Sequence, residues 1–71
     1  MVKTLVILVL LFDGNLVKEP LHFQSLVSVN DCFDYAEKYI ETITTHSYND
    51  PRGQGYYLND NRGTVQGFIC E

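Results

Sequence analysis

Thr4-Leu5-Val6-Ile7-Leu8-Val9-Leu10-Leu11-Phe12 is apolar at every position after Thr4, and Asp13-Gly14-Asn15 ends it. A membrane-crossing helix needs ~20 apolar residues, so this run is too short for one. With Met1-Val2-Lys3 in front of it, the run has the length of the apolar part of an export signal. No small-x-small cleavage pattern follows at Phe12-Asp13-Gly14-Asn15, however. Thr4, Val6, Ile7 and Val9 are β-branched, and the Asp-Gly-Asn that follows is turn chemistry. The expectation is a buried strand, with an export signal as the alternative.

From this strand the rest of the chain reads outward. Asp13-Gly14-Asn15 between two strand-like runs predicts a hairpin into Leu16–Phe23, since glycine supplies the positive φ a tight turn needs. Pro20 has no N–H to give a ladder, so this second strand belongs at a sheet edge or carries a bulge there. A helix is expected over residues 29–45. Ser28 is its N-cap, Asp31 stands three positions on, and Val27 and Cys32 occupy staple positions. Phe33, Ala36, Ile40 and Ile43, flanked by Cys32 and Tyr39, form the apolar stripe. Thr42, Thr44 and Thr45 weaken its last turn. Residues 46–55 are loop chemistry, and Tyr56–Leu58, a polar turn and Thr64–Cys70 make a second hairpin. The order is ββαββ. The expected fold class is α+β, one domain over residues 1–71, with a four-stranded antiparallel sheet and the helix packed on one face.

The 71 residues are too few for two cores or for a roomy internal cavity. Nine acidic residues against five basic ones give a net charge of −4, which argues against a protein that tracks nucleic-acid phosphates.

One helix covers one face of a sheet, yet from Leu5 to Phe12 both faces of the first strand are apolar. Either Leu5, Ile7, Val9 and Leu11 or Val6, Leu8, Leu10 and Phe12 must find another cover. Each residue left in water would forgo ~1.5–3 kcal/mol of burial, and a patch of four usually marks an interface. We take Leu5, Ile7, Val9 and Leu11 as the interface set, serving a homo-oligomer or a larger protein assembly. The alternatives are that loop 46–55, carrying Tyr48, folds back over the bare face, or that the first strand is simply central in the sheet.

Cys32 and Cys70 form an even pair in a short chain, and a disulfide between helix and closing strand is expected; the alternative is two buried thiols. No Cys-x-x-Cys is present to suggest zinc or redox chemistry. His22, near the edge proline, and His46, at the expected helix end, have no ligand spacing and read as solvated or capping residues. Asp31, Asp34, Glu37 and Glu41 form an acidic helix face, which is either solvated or a docking surface for a basic partner. No nucleophile, base and orienting group can be assembled. The sequence therefore predicts no catalytic residue, no cofactor and no metal site.

The apolar opening through Phe12-Asp13-Gly14, the Leu-x-Phe at Leu21–Phe23, Asp31-Cys32-Phe33 opening a helix and the terminal Gly67-Phe68-Ile69-Cys70-Glu71 resemble a loose class of small bacteriophage-encoded proteins. The resemblance implies a compact β-rich fold with a disulfide and carries no catalytic residue to transfer. The leading expectation is a non-enzymatic structural or interaction protein of a phage, in the virion or the host cytoplasm. The alternatives are an acidic inhibitor docking its helix face on a basic site of a host defence enzyme, and an exported small disulfide protein.

Overall fold

In a computed structural model, which describes residues 1–71, the apolar run is a ten-residue strand, β1 (Val2–Leu11). It is followed by β2 (Leu16–Val27), α1 (Val29–Ile43), β3 (Thr44–Ser47), β4 (Gly55–Leu58) and β5 (Gly63–Cys70). The strands form one sheet in the order β2-β1-β5-β4-β3, antiparallel at every junction. The α+β class and the single helix agree with the sequence reading, but the sheet has five strands where four were expected.

The added strand is β3. α1 stops at Ile43 rather than running to Thr45: the Thr44 N–H makes the last helical bond, to the Ile40 carbonyl, its hydroxyl donates to the same oxygen at 2.6 Å, and its backbone turns extended (φ −128°, ψ 162°). Asn59, from the turn after β4, donates its N–H to the Ile43 carbonyl at 3.0 Å and accepts from the Thr45 hydroxyl at 2.7 Å. These bonds satisfy the helix end and set the threonines, which favour extended backbone, against β4.

The β1–β2 connection is tight. Gly14, at φ +96°, donates to the Leu11 carbonyl at 3.0 Å, and the Asp13 carboxylate accepts the Asn15 N–H at 2.9 Å. β2 lies at the sheet edge, where a residue without an N–H is tolerated. β1 sits between β2 and β5, and the chain ends meet beside it. The Lys3 and Thr4 N–H groups donate to the Glu71 carbonyl, and the Glu71 N–H donates to Thr4 at 2.8 Å.

The core lies between α1 and the sheet. Leu5, Ile7 and Val9 are at most 1% exposed and form one cluster with Val65, Leu58, Cys32 and Ala36. Cys32 and Ala36 are small, so the helix comes close to the strands. The helix stripe is accordingly centred on Cys32 and Ala36, with Tyr39, Ile40 and Ile43 partly buried behind them. Phe33, expected in that stripe, is instead 46% exposed and packs edge-to-face on Phe68 at 5.4 Å. Cys32 and Cys70 are disulfide-bonded with a Cα–Cα distance of 6.3 Å, joining the first turn of α1 to the end of β5.

This packing corrects the expected interface set. Leu5, Ile7 and Val9 are sealed beneath the chain's own helix, and Leu11 is partly buried against the same cluster. It is the other side of β1 that the helix leaves bare.

Candidate functional site

Strand register defines the bare side. Val6 stands between Pro20 of β2 and Ile69 of β5, Leu8 between Lys18 and Gly67, and Leu10 between Leu16 and Thr64. Side chains at paired positions share a face, so these residues form one surface opposite α1, which Tyr57 extends through its pairing with Thr64. Val6 is closed over at 7% exposure between its larger neighbours. Leu10, Phe12, Leu16 and Ile69 remain 37–58% exposed. Lys18 is the only charged side chain at these positions. At its far end the Thr4 hydroxyl and the His22 ring lie 3.1 Å apart.

Across the middle of this face β5 carries a bulge. The register shifts between Leu8 and Val9, so Gln66 and Gly67 together oppose Leu8. A Cβ built on Gly67 would meet nothing within 4 Å. Leu8, Leu10 and Leu16 therefore stand as a ridge on β1 and β2 beside a trough on β5.

The loop between β3 and β4 closes one corner. Gly53, at φ +117°, donates to the Asp50 carbonyl at 2.9 Å. The Asp50 carboxylate accepts the Arg52 main-chain N–H (2.8 Å), its Nε (3.0 Å) and its Nη2 (3.1 Å). So held, the guanidinium lies 3.9 Å from the Phe12 ring centre and 5.1 Å from that of Tyr57, whose hydroxyl donates to the Gly53 carbonyl. The fold-back expected of loop 46–55 is thus made by Arg52 rather than by Tyr48, and it covers only Phe12 and Tyr57. Tyr48 sits on the helix side against His46 (4.3 Å between ring centres). His46 belongs to β3 and not to a helix end. Its ring lies between Tyr48 and Tyr56, and its Nδ1 is buried without a partner.

The clasp is electrostatically asymmetric. Hydrogen bonds from the Arg52 side chain and main chain lower the Asp50 carboxyl from 3.8 to about 2, and Asp50 in turn raises Arg52. Burial raises the Tyr57 hydroxyl, with the Asp50 charge adding to it. At Asp60, burial pushes the carboxyl up, but hydrogen bonds from the Arg62 N–H and guanidinium outweigh it and leave it lowered. A carboxylate with a lower pKa folded than unfolded stabilises the fold above its unfolded value and loses that contribution as pH falls toward the folded one. Urea midpoints should therefore fall as pH drops from 3.8 toward 2. Asp50→Asn should start less stable at neutral pH and lose less over that window, with Asp60 accounting for part of the slope that remains. Parallel curves for the two proteins would show that the clasp adds nothing.

The other residues singled out from the sequence lie elsewhere. Asp31, Asp34, Glu37 and Glu41 are exposed on α1, across the sheet from the bare face, and none is in an ion pair. Glu37 and Glu41 border a groove of about 330 Å³ floored by Ile40, Val65 and Phe68. No three His, Cys, Asp or Glu side chains converge to hold a metal ion, and no helix is long and apolar enough to cross a membrane.

The chain matches no family model, no curated protein and no solved structure. The functional reading accordingly rests on the two surfaces just described. The sequence narrowed the first to one of two alternating sets on β1. It missed the Arg52 clasp, for which Asp50-Pro51-Arg52-Gly53 is a turn signal with no indication of which aromatic rings the arginine would reach.

Proposed function

We propose that this is a non-enzymatic, phage-encoded interaction protein that joins a protein assembly through the bare face of its sheet. The observation that carries the reading is the contiguous set Leu10, Leu16 and Ile69, lying open on one side of β2, β1 and β5 around the half-buried Leu8, with Lys18 as the only charge among them. Because these side chains are already about half covered, closing over them recovers about half of the ~1.5–3 kcal/mol of full burial for each, a few kcal/mol in all toward holding a partner.

A benzophenone amino acid at position 16 tests the reading in cells that produce the protein. Irradiation should yield protein adducts from position 16 and not from position 34 on the helix. Equal yields from both positions, or none from position 16, would defeat it.

The acidic groove beside Glu37 and Glu41 favours a second reading, an inhibitor that docks α1 on a basic site. Glu37→Lys with Glu41→Lys separates the two. Under the first reading the adducts at position 16 persist in this variant; under the second, binding to the target is lost at low salt, where charge attraction is strongest. For the third reading, an exported disulfide protein, the Cys32–Cys70 bond is the favourable observation, since such bonds persist in oxidising compartments. Because β1 supplies Leu5, Ile7 and Val9 to the core, intact mass of the folded protein should include residues 2–11.

A further inference from the structure

We infer that the occupant of the bare face is a second copy of this chain, packed sheet on sheet with the leucine ridge of each copy over the Gly67 trough of the other. The inference rests on the reading above and adds the partner and the fit.

Size is the first argument. The molecule measures 40 × 21 × 15 Å, so its broad side offers on the order of 800 Å², about what each partner contributes to a stable interface. Charge is the second. Asp31, Asp34, Glu37 and Glu41 all project from α1 on the opposite side. Two sheets packed ~10 Å apart therefore keep both acidic helices outermost. Lys18 is on the edge strand, where its stem can lie over the partner while its ammonium stays in water.

Shape is the third argument. Gly67 stands at the β5 bulge, which by itself favours glycine, but it has no positive φ and it leaves open space where a side chain would stand. Such a position is expected where another chain approaches closely. A two-fold axis running along the strands between β1 and β5 sets ridge against trough twice, Leu8 of each copy over Gly67 of the other, the self-complementary arrangement of a closed dimer. Edge-to-edge joining is disfavoured. β3 has only four residues, and β2 presents Lys18-Glu19-Pro20, the charge and proline that block strand addition.

Sedimentation equilibrium of the intact, oxidised protein across the micromolar range tests the inference, with Gly67→Val as the diagnostic variant. The wild type should approach twice 8.1 kDa. Gly67→Val fills space that is empty in a single copy, so at the lowest concentration it should melt no earlier than the wild type. Its dimer dissociation constant should nevertheless rise at least about tenfold, a difference equilibrium sedimentation resolves. A strictly monomeric wild type overturns the inference, as does a Gly67→Val protein that dimerises equally well. The adducts from position 16 separate the two levels. Adducts joining two copies support both, adducts to a different protein with a monomeric wild type overturn only the identity of the partner, and no adducts defeat the bare face as an interface altogether.

Discussion

Removing the Cys32–Cys70 bond should lower the free energy of unfolding by about 4 kcal/mol, the chain-entropy value for closing a loop of this length, here a separation of 38 residues. For a chain this size that is a large share of the total stability. The location supports the upper part of the range. Cys32 is fully buried in the first turn of α1, and Cys70 ends the strand paired with β1, so the bond ties the only helix to the strand next to the core's centre. Without it, α1 is held by Ala36 and the half-buried Tyr39, Ile40 and Ile43. Cys32→Ala with Cys70→Ala should move the thermal midpoint down by on the order of 20 °C. Wild type treated with a phosphine reductant should fall to a similar midpoint. If both lose less than about 1 kcal/mol, the helix is secured by packing alone and the bond's structural role is minor.

Gly63→Ala should be the most damaging single substitution in β5 apart from loss of Cys70, at about 3 kcal/mol, the upper end for forcing atoms into a packed site. A Cβ at Gly63 would overlap the Leu10 carbonyl oxygen and stand 2.7 Å from the Leu11 Cα. Both are backbone atoms of β1, so no side-chain rotation can relieve the overlap and the strands must part. They would part where Leu11 pairs with Gly63 and the Phe12 N–H donates to the Arg62 carbonyl at 3.2 Å. Gly67→Ala in the same strand is the control. With open space at its Cβ, it should be neutral or stabilise by about 0.4–1 kcal/mol through a less flexible unfolded chain. Urea denaturation at low protein concentration measures both, and equal effects at the two positions would refute the close approach at Gly63.

The two longest strands, the hairpin turn at Gly14, the Ser28 cap and the closing hairpin could be read from residue order, because each carries a local signal such as an apolar run, a turn glycine or a capping hydroxyl. β3 could not. Thr44-Thr45-His46-Ser47 is short and polar, and it becomes a strand only because Asn59 and Tyr56–Leu58 lie beside it. The covered side of β1 was equally illegible, for a different reason. Where both alternating sets are apolar, periodicity has no preference, and the choice falls to where Cys32 and Ala36 sit. The first strand does keep one oily side outside the core, with the two sets exchanged. Phe33 shows the same limit on the helix. Its spacing suits the stripe, but the disulfide rotates the stripe toward Cys32.

The pairing of β1 with β5 also bears on how the protein is made. Because residues 2–11 lie against residues 63–70 as well as against β2, β1 can form a hairpin with β2 early but gains its second neighbour only once β5 has been made. Its oily sides stay available to chaperones during that interval. The same adjacency makes the molecule a candidate for circular permutation. A short glycine linker from Glu71 to Met1, with new termini opened in the exposed segment 51–54, would turn that late pairing into an early hairpin and should speed folding by lowering contact order.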